Sequence, residues 1–373
     1  MATTPCILHV GMPKTGSSSI QEYLSHGLRD PRFLYIGLGE VNGSRPLITL
    51  GMDNPENHWV HRRNRATPRQ AKTLRHRYQR ALEQSLTQAR YRGLTPILSG
   101  EGCWRLSAAA LTRVRDHISA QGFQAHVIVY LRPYLSWLES NFQQALKTGQ
   151  GAFEPRSIHF NRWEESPNEM HAKFAYSKRL DVLASVFGSD RVSVRLFKPD
   201  VLSSGCVVHD FCAATGIEPP LKALPRENDR LSLDAVRLLY VHKNYHPRGQ
   251  PLSLNSYQAI VSRLVSLRGE GLRFHPCILE SISDQLTAEE NVIYQRYGLD
   301  ISDHRDVTVL ANCIRNESDL FRFSSTSLDW LATTTGSTLT NANLPDARRQ
   351  IALAVDRLRL RPWRPWQQIV GRR

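Results

Sequence analysis

Cysteine is scarce. Six residues, Cys6, Cys103, Cys206, Cys212, Cys277 and Cys313, are scattered over 373 positions without framework spacing. That pattern argues against a disulfide-stapled scaffold and fits reduced thiols inside a cell. Long apolar runs are missing too: no stretch approaches the ~20 residues of a membrane-spanning helix, so no transmembrane segment is expected. The first residues show no basic n-region, long apolar h-region or small-residue cleavage site. A cytoplasmic location is therefore the expectation. No internal repeat or low-complexity tract interrupts the chain. Acid is in deficit, with 34 Asp and Glu against 48 Lys and Arg, a formal net charge of +14. Such an excess suits a polyanionic partner, either nucleic acid or a phosphorylated cofactor together with an acidic acceptor. Charge alone does not separate these.

At 41% the hydrophobic content suffices for a packed core, and the length suits a main domain with an appendage. The stretch around which the rest is organised lies near the start. Ile7, Leu8 and Val10 read as a buried strand, Gly11 to Ser19 as a turn of small residues with one lysine, and Ile20, Tyr23 and Leu24 as a helix face. Strand, Gly/Ser loop and helix together form an anion cradle, because backbone N–H groups and a helix start converge on it. The nucleotide-hydrolase pattern G-x-x-x-x-G-K-[ST] requires Lys directly after the second glycine. Here Gly11 and Gly16 keep the spacing, but Ser17 follows Gly16 and the lysine, Lys14, precedes it by two. A plain strand–turn–helix joint without ligand would use similar residues, so the loop needs a second match.

That match follows the run Ala125–Leu131, which is β-branched and nearly continuously apolar, as in a strand buried on both faces of a parallel sheet. Arg132 comes directly after it and Ser140 eight residues later. A guanidinium at a strand's carboxyl end and a hydroxyl on the next helix can serve one anion. Strands alternating with helices over residues 6–146 predict an α/β fold with a central parallel sheet and three layers.

Gly-x-Pro-Lys-Thr-Gly-Ser-Ser at 11–18 and Arg132-x7-Ser140 together resemble the sulfotransferases that use 3′-phosphoadenosine-5′-phosphosulfate (PAPS), of the bacterial, carbohydrate-modifying type. The segment 174–217 resembles them more loosely, and 226–373 hardly at all. The resemblance implies a P-loop-type sulfotransferase fold, PAPS as co-substrate and no metal. It further implies that Pro13, Lys14, Thr15, Gly16, Ser17, Ser18 and Ser19 surround the 5′-phosphosulfate, and that Arg132 and Ser140 hold the 3′-phosphate. The acceptor would be a saccharide hydroxyl, with no nucleic acid partner. Two departures stand out. Aryl and steroid sulfotransferases stack a tryptophan on adenine after the hydroxyl pair, where this chain has Ser19, and their Gly-rich C-terminal phosphate loop is not evident.

Sulfuryl transfer to a hydroxyl needs a general base. Glu101, following the strand Leu94–Leu98, is the first candidate, and His58, in Asn57-His-Trp-Val-His-Arg-Arg63, the second. Glu22 and Glu40 are outsiders. Lys14 would follow charge onto the leaving oxygen. Cys206, His209 and Cys212 have the composition of a metal site, but positions six apart on a helix stand about 9 Å apart along its axis, so packing is the expectation. Residues 25–66 read as mostly loop. The domain expectation is a PAPS-binding domain over 1–225 and a mostly helical extension over 226–373, with helices near 233–242, 256–267, 288–297 and 345–358. A P-loop kinase-like enzyme and a basic nucleic-acid binder are the alternatives. The first lacks its lysine after Gly16, and the second leaves Lys14, Arg132 and Ser140 unexplained.

Overall fold

The computed structural model describes residues 4–148, 172–220, 230–245, 252–303, 305, 312–339 and 345–360. Most of the Pro-rich stretch 219–225, residues 221–225, therefore lies outside the described residues. Contacts divide the chain into two units, 1–133 with 173–227 and 284–302, and 134–172 with 228–283 and 303–373. One crossing falls close to the break expected at 225/226, but the chain also crosses after 133, 172, 283 and 302. The expected break lay after the Pro-rich stretch 219–225, where the family resemblance ends, and neither feature registers interleaving of this kind.

The first unit is built on β1 (Thr4–Val10), β2 (Phe33–Tyr35), β3 (Thr95–Gly100), β4 (Phe123–Leu131) and β5 (Val192–Leu196). They form one sheet in the order β2-β3-β1-β4-β5. Every pairing is parallel, with Val10 opposite Gly100 on one side of β1 and His9 opposite Ile128 on the other. Central strands of such a sheet are buried on both faces, and Cys6 to Val10 are buried without a break. On one face Ile7, Ile97, Ile128 and Tyr130 pack under α1 (Ser17–Glu22) and Tyr23–Leu24, closed by Val208 and Phe211 further along the chain. The opposite face is covered by α2 (Ser44–Gly51), α4 (Pro68–Tyr91) and α5 (Ala108–Ser119), with the short α3 (Trp59–Arg62) between α2 and α4. The architecture is α/β, helices on both sides of a parallel sheet.

Local sequence explains most of these boundaries. Thr67 and Gln70 form a capping box with Pro68 at the first helical position of α4, and Gly93, at φ 64°, follows its end. Ala71, Tyr78, Leu82, Leu86 and Ala89 are its buried stripe. Ser107 caps α5 by accepting from Ala110 N at 3.2 Å. Residues 25–66 are more ordered than expected. They contain β2 and two helices, and Arg75 and Arg113 clamp the carboxyl end of α2 by donating to Thr49 O (3.0 Å) and Gly51 O (2.5 Å). Cations at a helix carboxyl end satisfy orphan carbonyls.

The remaining helices are α6 (Tyr134–Lys147), α7 (Tyr176–Phe187), α8 (Val207–Thr215), α9 (Leu233–Tyr245), α10 (Leu254–Leu264), α11 (Ser283–Tyr297), α12 (Ser325–Thr335) and α13 (Pro345–Arg357). Within the first unit, Glu289 on α11 takes hydrogen bonds from Ser177 N and, at 2.9 Å, Ser177 Oγ at the start of α7. Arg296 pairs with Asp181 one turn on, at 2.5 Å. The second unit holds a fully buried carboxylate, Glu139 on α6. It accepts from Phe274 N and Arg305 Nη1, both at 2.8 Å, and from Arg230 and Arg273 at 3.3 and 3.4 Å.

Candidate active site

The carboxyl ends of three neighbouring strands, β3, β1 and β4, carry Glu101, the loop from Gly11 and Arg132. Ligands of open parallel sheets bind at this edge, where connections leave a strand in opposite directions. The loop needs glycine at two places for different reasons. A Cβ on Gly11 would stand 2.3 Å from Ser17 Oγ and 3.0 Å from Glu101 Cα, so the loop backbone lies directly against the start of the Glu101 turn. Gly16 has φ 77°, and a Cβ there would meet Val207 Cγ1 at 2.7 Å.

Lys14 is left-handed at φ 71°, uncommon for a residue with a side chain. Its carbonyl accepts from Arg132 Nη1 at 2.5 Å, and the Arg132 guanidinium lies 5.2 Å from the Phe197 ring centre. Tyr176 Oη donates to Arg132 O at 3.1 Å. Thr15 is fully buried, its hydroxyl donating to Met12 O at 2.6 Å. Thr15 can therefore serve a ligand only through its backbone. Ser17 is 3% exposed and its Oγ has no hydrogen-bond partner among the described residues, an uncommon state for a buried hydroxyl. Pro13 and Ser19 are half-buried and Ser18 is exposed. No side chain caps the start of α1 at Gly16.

Glu101 opens a 3₁₀ turn, Glu101–Arg105, directly after β3. Burial raises its carboxyl above the ordinary carboxylate range, against the opposing pull of the Lys14 and Arg105 charges. Among the described residues its carboxylate takes no hydrogen bond and no ion pair, which leaves its lone pairs for a ligand. The turn behind it is pinned. Gly102 N donates to Ser44 Oγ at 2.9 Å, and Ser44 bonds to Asn42. Gln21 Nε2 bridges Asn42 Oδ1 (3.4 Å) and Ser99 Oγ (3.1 Å), and Ser99 Oγ meets His9 Nδ1 at 2.8 Å. His9 is fully buried with Nε2 unpartnered, and burial pulls its imidazole down to about 4.

His58 caps α3, its Nδ1 accepting from Val60 N at 3.3 Å. That bond occupies the free lone pair of the neutral ring and leaves Nε2 protonated, an arrangement poor for taking a proton. Burial, and then the charges of His61, Arg105 and Arg62, lower its basicity. The two outsiders are engaged elsewhere, Glu22 with His26 at 2.8 Å and Glu40 with Arg45 Nη2 at 2.6 Å. Lys14, Glu101 and Arg132 thus come together at one edge of the first unit. Ser140 lies on α6, in the second unit. Sequence reasoning passed over Arg105, although it stands four residues after Glu101, and the polar chain from His9 to Ser44, whose members are spread over distant segments. Cys206 precedes α8 and Cys212 is buried in its packing. No cluster of His, Cys, Asp and Glu able to hold a metal occurs among the described residues. No described helix is long and apolar enough to cross a membrane.

No family model and no curated protein matches the chain. Among solved structures, a sulfotransferase from Alicyclobacillus acidocaldarius aligns with 83% of this chain and 100% of its own, with a TM-score of 0.43 and 14% identity. A likeness at that level carries no argument about activity.

Proposed function

We propose that the chain is a PAPS-dependent O-sulfotransferase that moves a sulfuryl group onto a hydroxyl of a carbohydrate acceptor. The observation that carries this reading is the unpartnered, half-buried Glu101 carboxylate set against the Lys14 loop, with Arg132 after the adjoining strand. A base and an anion cradle side by side are what transfer of an anionic group to a hydroxyl requires. Lys14, Ser17 and Ser18, with backbone N–H groups from Thr15 to Ser19, are assigned to the 5′-phosphosulfate, with Pro13 shaping the turn. Arg132 is assigned to the 3′-phosphate. The six cysteines are free thiols, which supports a cytoplasmic setting.

Glu101 takes the proton of the acceptor hydroxyl as its oxygen bonds to sulfur. The bond between sulfur and the phosphate oxygen breaks, and Lys14 neutralises the charge arriving on that oxygen. Catalysis of this type is mostly positioning and electrostatics, and removal of one such donor costs roughly 10²–10³ in rate. The test is calorimetric titration with adenosine 3′,5′-bisphosphate against ATP with Mg²⁺. Tighter binding of the bisphosphate is expected, and equal or weaker binding would overturn the proposal. Glu101→Gln should keep that affinity and lose transfer of labelled sulfate. Wild-type turnover in this variant would remove Glu101 as the base.

A further inference from the structure

None of the residues assigned to the donor lies in the stretch His58–Arg63 or at Arg105, and the composition there is unusual. Trp59 is 55% exposed, the His58 ring lying tilted against it with centroids 5.8 Å apart. Arg62, Arg63 and Arg105 are exposed, and among the described residues none of them pairs with a carboxylate. His58 feels the charges of both Arg62 and Arg105, and Arg105 also acts on Glu101. Arg105 thus links the aromatic surface to the carboxylate.

The surface is also fixed in place. His61, buried beneath it, meets Thr49 Oγ1 on α2 through Nε2 at 2.9 Å, which locks α3 against the body of the unit. Glu101 and Arg105 open and close one 3₁₀ turn, so they stand about 8 Å apart along its axis at a rise of ~2 Å per residue.

We infer that Trp59, Arg62 and Arg105 form an acceptor subsite for an anionic saccharide, one whose carboxylate or sulfate lies next to the sugar that presents its hydroxyl to Glu101. This rests on the sulfotransferase reading. An exposed indole offers a flat apolar face to the C–H side of a pyranose ring, and guanidinium groups bind carboxylate and sulfate in matched pairs of hydrogen bonds. Cations with no acidic partner repel one another and are stabilised when an anion arrives. A neutral sugar would use the indole and leave the guanidinium groups idle.

The experiment measures binding of an oligogalacturonate hexamer, maltohexaose and a single-stranded DNA hexamer to the full chain, with and without adenosine 3′,5′-bisphosphate. The acidic saccharide should bind at least tenfold more tightly than the neutral one. Arg105→Ala combined with Arg62→Ala should remove most of that preference, and Arg105→Lys should restore part of it. Trp59→Ala should weaken both saccharides. Bisphosphate affinity should stay unchanged in all these variants, which also reports that they are folded. Equal binding of the two saccharides, or a preference indifferent to the arginine changes, would overturn the inference. DNA binding more tightly than either sugar with the same sensitivities would overturn it too, and assign the surface to nucleic acid. Failure of the wild type to bind the bisphosphate strikes the donor reading instead, and is visible separately.

Discussion

Glu101 and Glu139 are both carboxylates among positive charges, and they differ in what they touch. Glu139 accepts a backbone N–H and three guanidinium groups and is fully buried. Glu101 is half-buried, influenced by Lys14 and Arg105 without bonding to either, and follows a strand at the sheet's carboxyl edge. A saturated carboxylate has no lone pair left for chemistry and serves to hold elements together. One with cations near it but not on it stays reactive, and burial makes it a stronger base.

The difference can be attacked directly. Glu139→Ala should cost about 3–5 kcal/mol, because three guanidinium groups lose their shared counter-charge and Phe274 N loses its acceptor. Denaturant melts of the full chain measure this, and a loss below 1 kcal/mol would break the contrast. His9 tests the buried chain behind Glu101. Its pKa is lowered from 6.5 to about 4, so the unfolded chain binds the extra proton and stability should rise with pH across that window. The full effect is roughly 3 kcal/mol. In His9→Gln the slope should flatten, and an unchanged slope would assign it to other groups. The smallest effect is expected for Glu101→Gln, within about 0.5 kcal/mol near pH 4. Its raised pKa makes the wild type lose stability as pH climbs through the folded value, so the variant should match or slightly exceed it at pH 7. A large destabilisation would place Glu101 in the same class as Glu139.

Much of this was legible in the sequence, for identifiable reasons. Continuous apolar runs marked β1, β3 and β4 because both faces of those strands are covered. Gly216, which stops α8 after Thr215 in the left-handed region, is the kind of residue that marks a helix end in sequence. Strand β2 was missed because three residues carry no period, and α2 because Pro46, Ile48 and Thr49 weaken its helical signal. At the candidate site, the expected placement of Lys14, Glu101 and Arg132 after strands rested on the apolar runs before them, and the structure has them there. Thr15 did not reveal that its hydroxyl turns inward, nor His58 that its ring nitrogen caps a helix. Both depend on backbone geometry that composition does not encode. Arg105 lacked only a partner that would have drawn attention to it.

The return of α11 to the first unit has a practical meaning. A fragment ending at residue 225 would leave the backbone N–H of Ser177 and the Asp181 side chain without Glu289 and Arg296. Helix α7 would lose the anion at its start and a brace one turn further on. The first unit therefore cannot be cut out as residues 1–225 alone. Any recombinant version of the first unit would have to carry residues 284–302 along with the sheet. Limited proteolysis should accordingly yield nicked chains that stay associated rather than a free N-terminal fragment.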